Sequence, residues 1–242
     1  LGTNVNGGDG DDAIVFADGA RLGGAISGDA GFNTLDFSAY TTAVAVNLAA
    51  STATGTTGVT GVQRLIGGAA ADVLTGSASD EMFTGGLGND KFIGGGGHDV
   101  VVEAGAVNFV LSNTKLTGLG TDSLAGIGEV QLADATSGHS FNVSAFTGTA
   151  QIAGTGSTVI ATKNANFTLT DGNLATTDGM NVALSGIGIA NLTGGIGDNQ
   201  FNVSGWTGAG KLSGGAGVDA VVLTQDADMS LTKTQLSVAG GL

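Results

Sequence analysis

Four consecutive nonapeptides decide the fold: GGAAADVLT (67–75), GSASDEMFT (76–84), GGLGNDKFI (85–93) and GGGGHDVVV (94–102). They share the pattern Gly-Gly-x-Gly-x-Asp-x-apolar-x, with an acidic residue at the sixth place and an apolar residue at the eighth. An isolated glycine-rich turn carries little information, but tandem copies at a fixed period indicate a stacked repeat architecture.

Single copies of the same pattern lie outside this tandem block. Two of them keep the acid at the sixth place, and two carry an amide there, at Asn33 and Asn199. These copies are GGDGDDAIV (7–15), GGAGVDAVV (214–222), GDAGFNTLD (28–36) and GGIGDNQFN (194–202). The repeat therefore recurs well beyond the tandem block.

Each nonapeptide predicts a six-residue turn, in which glycines supply backbone angles that other residues avoid, followed by a three-residue strand. The middle strand residue should point inward, and stacked copies would then bury a continuous core. The inward residues are Leu74, Phe83, Phe92 and Val101. Two nonapeptides complete one coil of eighteen residues, so Asp72 should lie beside the turn of Asp90, and Glu81 beside that of Asp99.

This stacking predicts a chemistry. Each gap between turns would hold a carboxylate and several backbone carbonyls, which are hard oxygen donors, and the chain contains no cysteine. Such donors suit calcium better than zinc or copper. Without an ion the facing carboxylates would repel each other, so we expect ion binding and folding to be coupled.

The nonapeptides resemble those of the RTX (repeat-in-toxin) family of glycine-rich repeats. The resemblance implies an all-β fold, a right-handed parallel β-roll or β-helix solenoid with Ca²⁺ between its turns. It implies calcium-ligating side chains at Asp12, Asp72, Asp90, Asp99 and Asp219. It further implies carbonyl ligands from the turns that contain Gly85, Gly88, Gly94, Gly97, Gly214 and Gly217.

Some turns depart from the family pattern. Ala70, Ser77 and Ser79 replace glycines, and Glu81 replaces the aspartate, which predicts weak binding at the edge that holds Glu81. Asn33 and Asn199 lack the negative charge of a ligand carboxylate.

The remaining sequence divides into an insertion and a second repeat. Residues 1–102 are expected to form the calcium-binding β-roll, with a strand-rich insertion at 37–66 whose alternation predicts longer strands of the same solenoid. Residues 103–242 carry degenerate repeats of about sixty residues that should continue the solenoid, with roughly three coils in each repeat. Three segments mark this repeat: NFVLSNTKLTG (108–118), NFTLTDGNLAT (166–176) and DMSLTKTQLSV (228–238). Four aromatic residues at matching places are expected in the core: Phe141, Phe146, Phe201 and Trp206.

Composition limits the function classes. The formal charge of −14 argues against a nucleic-acid partner, and no apolar run is long enough for insertion into a membrane. We expect no active site, because His98 and His139 show no recognisable catalytic partners and are expected to be exposed. The chain is therefore expected to bind rather than to catalyse.

Three function classes remain. The first is a calcium-binding structural or adhesive segment of a secreted bacterial surface or extracellular-matrix protein, of the S-layer, biofilm or adhesin type. The second is the secretion and folding tail of an RTX enzyme or toxin whose catalytic domain lies elsewhere. The third is a solenoid that binds ice or a cell-surface glycan. The resemblance implies export by type I secretion, and open solenoid ends predict self-assembly into filaments or sheets.

Overall fold

A computed structural model describes residues 2–224, 229–231 and 236–238. These residues form strands, turns and loops, and no helix suitable for crossing a membrane occurs among them. The first twelve strands are β1 Val5–Asn6, β2 Ala13–Val15, β3 Ala25–Ser27, β4 Thr34–Asp36, β5 Ala45–Asn47, β6 Thr52–Ala53, β7 Gly58–Thr60, β8 Arg64–Ile66, β9 Val73–Thr75, β10 Met82–Thr84, β11 Lys91–Ile93 and β12 Val100–Gly105.

Later strands are longer on average, and the two longest have 14 and 13 residues. They are β13 Phe109–Ser112, β14 Lys115–Thr117, β15 Thr121–Ala125, β16 Glu129–Asp134, β17 Ser140–Ala145, β18 Thr149–Thr162, β19 Phe167–Thr170, β20 Asn173–Thr176, β21 Asn181–Thr193, β22 Gln200–Gly205, β23 Ala209–Ser213, β24 Ala220–Val222, β25 Met229–Leu231 and β26 Leu236–Val238. The chain divides into two compact units. Unit 1 comprises Leu1–Glu103 and Thr114–Gln131, and unit 2 comprises Ala104–Asn113 and Leu132–Leu242.

Unit 1 is a parallel β-solenoid. In the tandem block β9 pairs in parallel with β11, with Val73 opposite Lys91, and β10 pairs with β12, with Met82 opposite Val100. Both pairings confirm the coil of eighteen residues. The four eighth-place side chains have no exposed surface, which confirms that they face the core: Leu74, Phe83, Phe92 and Val101.

The insertion at 37–66 does not form longer strands, and that prediction is wrong. Its strands β5 to β8 have only two or three residues each. The additional residues enter loops and a short antiparallel hairpin between β5 and β6, where Val46 lies opposite Ala53. Alternating small polar and apolar residues therefore supply hairpin and loop positions, while the short parallel strands keep their places in the ladder.

Unit 2 also contains parallel ladders, but its coils are unequal. Long steps of 32 and 34 residues separate Asn108 from Ser140 and Asn166 from Gln200, whereas a step of 20 separates Asn199 from Asp219. The antiparallel pairing of β19 with β20 takes up residues within a long step. A sixty-residue repeat therefore spans about two coils rather than the expected three. The third repeat copy, 228–238, lies partly outside the described residues.

Aromatic side chains fill the interior of unit 2, as the sequence predicts. Phe167 and Phe201 stack with ring centroids 4.9 Å apart, and Phe109 and Phe141 stack at 5.8 Å. Trp206 is 2% exposed. Phe146 is also buried, so none of these matching aromatic residues forms an exposed face for a glycan.

Two neighbouring residues in β9 provide a test of the core. Leu74→Ala should lower the free energy of unfolding by about 2 to 5 kcal/mol, because it leaves a cavity in the stacked interior. Val73→Ala is the matched control: the Val73 side chain is 40% exposed, so its truncation should cost much less. Urea unfolding at fixed calcium concentration measures both, and equal losses would contradict the assigned inward direction of Leu74.

Candidate metal centres in the glycine turns

Sixth-place side chains of successive coils form columns along the solenoid. In the first column the Asp72 backbone N–H donates to Asp90 Oδ1 at 2.8 Å, and the Asp90 N–H donates to Asp122 Oδ1 at 2.9 Å. All three carboxylates are buried. Each side chain therefore ties its own turn to the backbone of the preceding coil.

The second column contains Asp12, Asn33, Gln63, Glu81 and Asp99. The N–H of Asp12 donates to Asn33 Oδ1 at 2.9 Å, and the N–H of Asn33 donates to Gln63 Oε1 at 2.8 Å. Further along, the N–H of Glu81 donates to Asp99 Oδ1 at 2.9 Å. Asp12 and Asp99 thus share a column but are separated by the turns between them.

A third column lies within unit 2. There the N–H of Asn199 donates to Asp219 Oδ1 at 2.9 Å. The structure therefore brings Asp72 and Asp90 together, whereas Asp219 has an amide as its column neighbour.

Several sixth-place carboxylates keep one oxygen without a hydrogen-bond partner. The buried atoms in this state include Oδ2 of Asp12, Asp90 and Asp99. Burying an acceptor without a donor costs about 1 to 3 kcal/mol, and more when the group is charged. A cation or a proton at these oxygens would remove that cost.

First-place glycines make room for these oxygens. A Cβ atom at Gly85 would lie 2.3 Å from Asp90 Oδ2, a distance that a real side chain could not occupy. The corresponding distances are 2.2 Å between Gly94 and Asp99 Oδ2, and 2.1 Å between Gly214 and Asp219 Oδ2. The carboxylate therefore folds back against the start of its own turn.

Fourth-place glycines bring the carbonyls of the preceding coil close. Gly88 has a φ of +130°, and a Cβ there would lie 2.5 Å from the carbonyl oxygen of Ala70. Gly97 and Gly217 also have positive φ and approach the carbonyls of Ser79 and Gly197. Turn carbonyls of one coil thus line the backbone of the next, within the same edge as the carboxylates.

This donor set fits calcium. Carboxylate and carbonyl oxygens in flexible turns are the ligands that Ca²⁺ prefers, in six- to eight-fold coordination. Among the described residues no three Asp, Glu, His or Cys side chains converge on one point. A bound ion must therefore take most of its ligands from the turn carbonyls.

Burial raises the pKa of these carboxyl groups. Loss of solvent is the main cause, and the pKa rises to about 6 for Asp90 and for Asp99. The pKa of Asp72 and that of Asp122 are also raised, again chiefly by burial. The metal-free turns therefore hold their negative charge at a cost in free energy.

Two acids of the columns are already satisfied by backbone or hydroxyl donors. Asp72 accepts the Val44 N–H on Oδ1 at 2.8 Å and the Gly68 N–H on Oδ2 at 2.6 Å. Glu81 Oε2 accepts the Ser77 N–H at 2.8 Å, and the Ser77 hydroxyl donates to Oε1. Ser77, which replaces a glycine of the repeat pattern, therefore supplies donors to both oxygens of Glu81, and a cation would stabilise this carboxylate less than it would an unpartnered one.

Asparagine at the sixth place replaces the unpartnered oxygen by a donor. Asn33 Nδ2 donates to the Gly61 carbonyl at 2.8 Å, and Asn199 Nδ2 donates to the Ala165 carbonyl at 3.2 Å. Both amides are buried, and their Oδ1 atoms accept backbone N–H groups. These two turns close by hydrogen bonds where an aspartate would face a carbonyl oxygen.

Sequence reasoning missed Asp122, which extends the first column. Its signal was the run Asp122-Ser123-Leu124, which repeats the Asp-x-apolar spacing of the nonapeptides. Leu124 lies opposite Phe92 in the parallel pair of β11 and β15. The residues before Asp122 belong to the hairpin of β14 and β15 rather than to a full glycine turn, which hid the match.

Fifth-place side chains form a second ladder, at a place that the repeat pattern leaves variable. Their oxygens accept the backbone N–H of the fifth place in the next coil, for example Asp80 Oδ1 from His98 at 2.7 Å. The same bond joins Asp11 to Phe32, Asn89 to Thr121 and Asp198 to Val218. The sequence feature that could have predicted this ladder is an acid or amide at the fifth place of these copies.

His139 is half-buried and has partners, so the prediction that it is exposed and alone is wrong. Its Nδ1 lies 2.9 Å from Asp134 Oδ1, and the Ser157 hydroxyl donates to Asp134 Oδ2 at 2.7 Å. Burial alone would raise the pKa of Asp134, but the hydrogen bonds from Ser157, Thr136 and His139 outweigh it and lower that pKa. The serine binds the acid rather than the imidazole, which is not the order of a hydrolytic triad. His98 is exposed, as expected.

A comparison with protein families identifies the tandem block. The family model of the RTX calcium-binding nonapeptide repeat, which represents four copies, matches residues 57–92 and again residues 75–102. No curated protein matches the chain. The matched residues contain Asp72, Glu81, Asp90 and Asp99, whose columns have the register of stacked nonapeptides. The chain therefore carries, over residues 57–102, calcium-binding nonapeptide repeats of the RTX family.

Proposed function

We propose that this chain is a calcium-binding structural or adhesive segment of a secreted bacterial surface or extracellular-matrix protein, which folds on calcium binding. The observation that carries the proposal is the set of buried carboxylate oxygens without hydrogen-bond partners, Oδ2 of Asp12, Asp90 and Asp99. A cation in each turn would remove the cost of burying these charges. Folding and ion uptake would then be one process.

Unit 2 supports the structural side of this proposal. Its third column contains the hydrogen-bonded Asn199, and its interior contains stacked phenylalanine pairs. Such a region is stabilised by packing and amide hydrogen bonds, with little demand for ions. Packing that keeps a segment rigid without bound ions suits a structural role in an S-layer, a biofilm matrix or an adhesin.

Secretion follows from the same physics. An acidic, glycine-rich chain should stay unfolded where calcium is scarce and should fold where calcium is millimolar, which suits export by type I secretion. The same property would serve the secretion and folding tail of an RTX enzyme or toxin. A catalytic domain in the same reading frame would favour that alternative. Self-assembly and a cell-surface glycan ligand stay predictions of the sequence.

A calcium titration tests the proposed function directly. Chelator-stripped chain should gain β-structure cooperatively as calcium is added, with a midpoint on the order of 0.1–1 mM. Far-UV circular dichroism follows the transition, and magnesium at equal ionic strength is the control for charge screening. Full β-structure in excess chelator, unchanged by calcium, would refute coupled folding.

Asp99→Asn separates the two roles of a sixth-place aspartate. The amide Oδ1 should still accept the Glu81 N–H, and Nδ2 replaces the unpartnered anionic oxygen. We expect the metal-free chain to gain about 1 to 3 kcal/mol in free energy of unfolding. The calcium-loaded chain should lose affinity for at least one ion in calorimetric titration.

Asp171→Asn, in an exposed turn of unit 2, is the charge-matched control: its Oδ1 should still accept the Thr207 N–H and its Nδ2 can donate to the Thr207 hydroxyl, so neither quantity should change appreciably. Unchanged calcium binding by Asp99→Asn would show that Asp99 serves the backbone hydrogen bond alone.

The raised carboxyl pKa values predict a pH dependence for the metal-free chain. Asp90 and Asp99 have folded-state pKa values of about 6, above the unfolded value near 4, so the folded state binds more protons between these pH values. Stability in chelator should therefore be greatest near pH 4 and should fall as pH rises through 6, and the carboxyl of Glu103, whose pKa burial raises to about 8, should extend the fall to that pH. The pKa values of Asp134 and Asp178 are lowered, so the stability that these two carboxylates contribute is lost only at more acid pH. Urea unfolding from pH 4 to 8 measures the slope.

Saturating calcium should flatten this slope, because the bound ions stabilise the deprotonated carboxylates. A metal-free stability that is constant or rises over the same range would contradict the assignment.

A further inference from the structure

Glu103 is a buried acid that lies outside every nonapeptide. It is in β12 and is 3% exposed. Its Oε1 accepts the Gly85 N–H at 2.6 Å, whereas its Oε2 is buried and has no hydrogen-bond partner. The residue therefore reaches the first position of the turn 85–90, eighteen residues before it.

Gly85 is also the residue against which Asp90 folds back. A Cβ on Gly85 would lie 2.3 Å from Asp90 Oδ2 and 2.9 Å from Asp90 Cγ. Glu103 and Asp90 thus contact the same glycine, one at its nitrogen and the other at its α-carbon. Each carboxylate presents one buried, unpartnered oxygen in this region.

Further negative charge lies close by. Asp122 is buried and accepts the Asp90 N–H at 2.9 Å. Burial raises the pKa of Glu103 to about 8, and the charges of Asp122 and Asp90 add to the rise. The ion pairs His139–Asp134 and Lys163–Asp178 lie elsewhere and include none of the three.

We propose that Glu103 is a calcium ligand at the turn Gly85–Asp90, supplying a second carboxylate that the nonapeptide pattern does not contain. The inference rests on the proposed calcium-dependent function and names one ligand of one site. Two carboxylates here, with turn carbonyls as the remaining ligands, give this site more negative charge than turns with a single aspartate. Because ligand charge tunes calcium affinity, this site should be among the first to fill.

The test is a calcium titration of the whole chain by calorimetry, with Glu103→Gln compared with wild type. Gln keeps the acceptor for the Gly85 N–H but removes the charge. We expect the tightest class of sites to weaken at least tenfold or to disappear. Urea unfolding in chelator should show that the variant is no less stable than wild type, since the amide replaces a carboxyl group that can be buried only by taking up a proton or by holding an uncompensated charge. Asp171→Asn should bind calcium as wild type does.

Glu103→Asp keeps the charge and shortens the side chain by one methylene, so its affinity should fall between those of wild type and E103Q. It also keeps the proposal testable should E103Q not fold, because wild-type affinity in E103D would then overturn the role of the Glu103 carboxylate. Equal calcium binding by wild type and E103Q, with higher metal-free stability in E103Q, would make Glu103 a buried acid with no metal role. Absence of binding by wild type itself would instead refute the proposed function.

Discussion

One hydrogen bond, repeated from coil to coil, determines most of this structure. A sixth-place side-chain oxygen accepts the backbone N–H of the sixth place in the preceding coil, as in Asp90 with Asp72 and Asp219 with Asn199. It fixes the register of neighbouring turns, and so it also fixes which strand residues face inward. Because both partners are buried in the tandem block, removing the acceptor would leave an unsatisfied N–H in each coil. Aspartate, asparagine and glutamine all meet this requirement, which explains why the columns tolerate each of them.

The other terminal atom of the same side chain, Oδ2 in aspartate or Nδ2 in asparagine, determines how the charge or hydrogen-bonding need of the turn is satisfied. With aspartate it is an anionic oxygen without a donor, as in Asp12, Asp90 and Asp99, which a bound cation would neutralise. With asparagine it is an N–H₂ group that bonds a neighbouring carbonyl, as in Asn33 and Asn199. The two residues have nearly the same shape, so one fold accommodates both solutions. The chain thus combines turns whose donors suit an ion with turns that are closed by hydrogen bonds.

Much of the fold follows from the sequence, because a nine-residue period specifies both the turn and the inward side chain. The period alone assigns Leu74, Phe83, Phe92 and Val101 to the core and places Asp72 beside Asp90, and the structure confirms both. Local spacing carries no information on groups that arrive from elsewhere along the chain. Asp122 joins its column after a hairpin, Glu103 reaches Gly85 from a strand, and His139 meets Asp134 through a turn. The unequal coils of unit 2 escaped prediction for the same reason, since a hairpin between strands does not change the strand sequences.

Coils of very different length perform the same structural task. A step of eighteen residues joins Asp72 to Asp90, and a step of 32 joins Asp90 to Asp122, yet each advances the column by a single strand-to-strand spacing, roughly 4.8 Å. The rise per coil therefore does not depend on the number of residues in that coil. The mass per ångström of solenoid axis varies from coil to coil, while the spacing between coils stays constant. Insertions and deletions between strands change the girth of such a protein and the surface that it presents sideways, but they leave its length and its internal register intact.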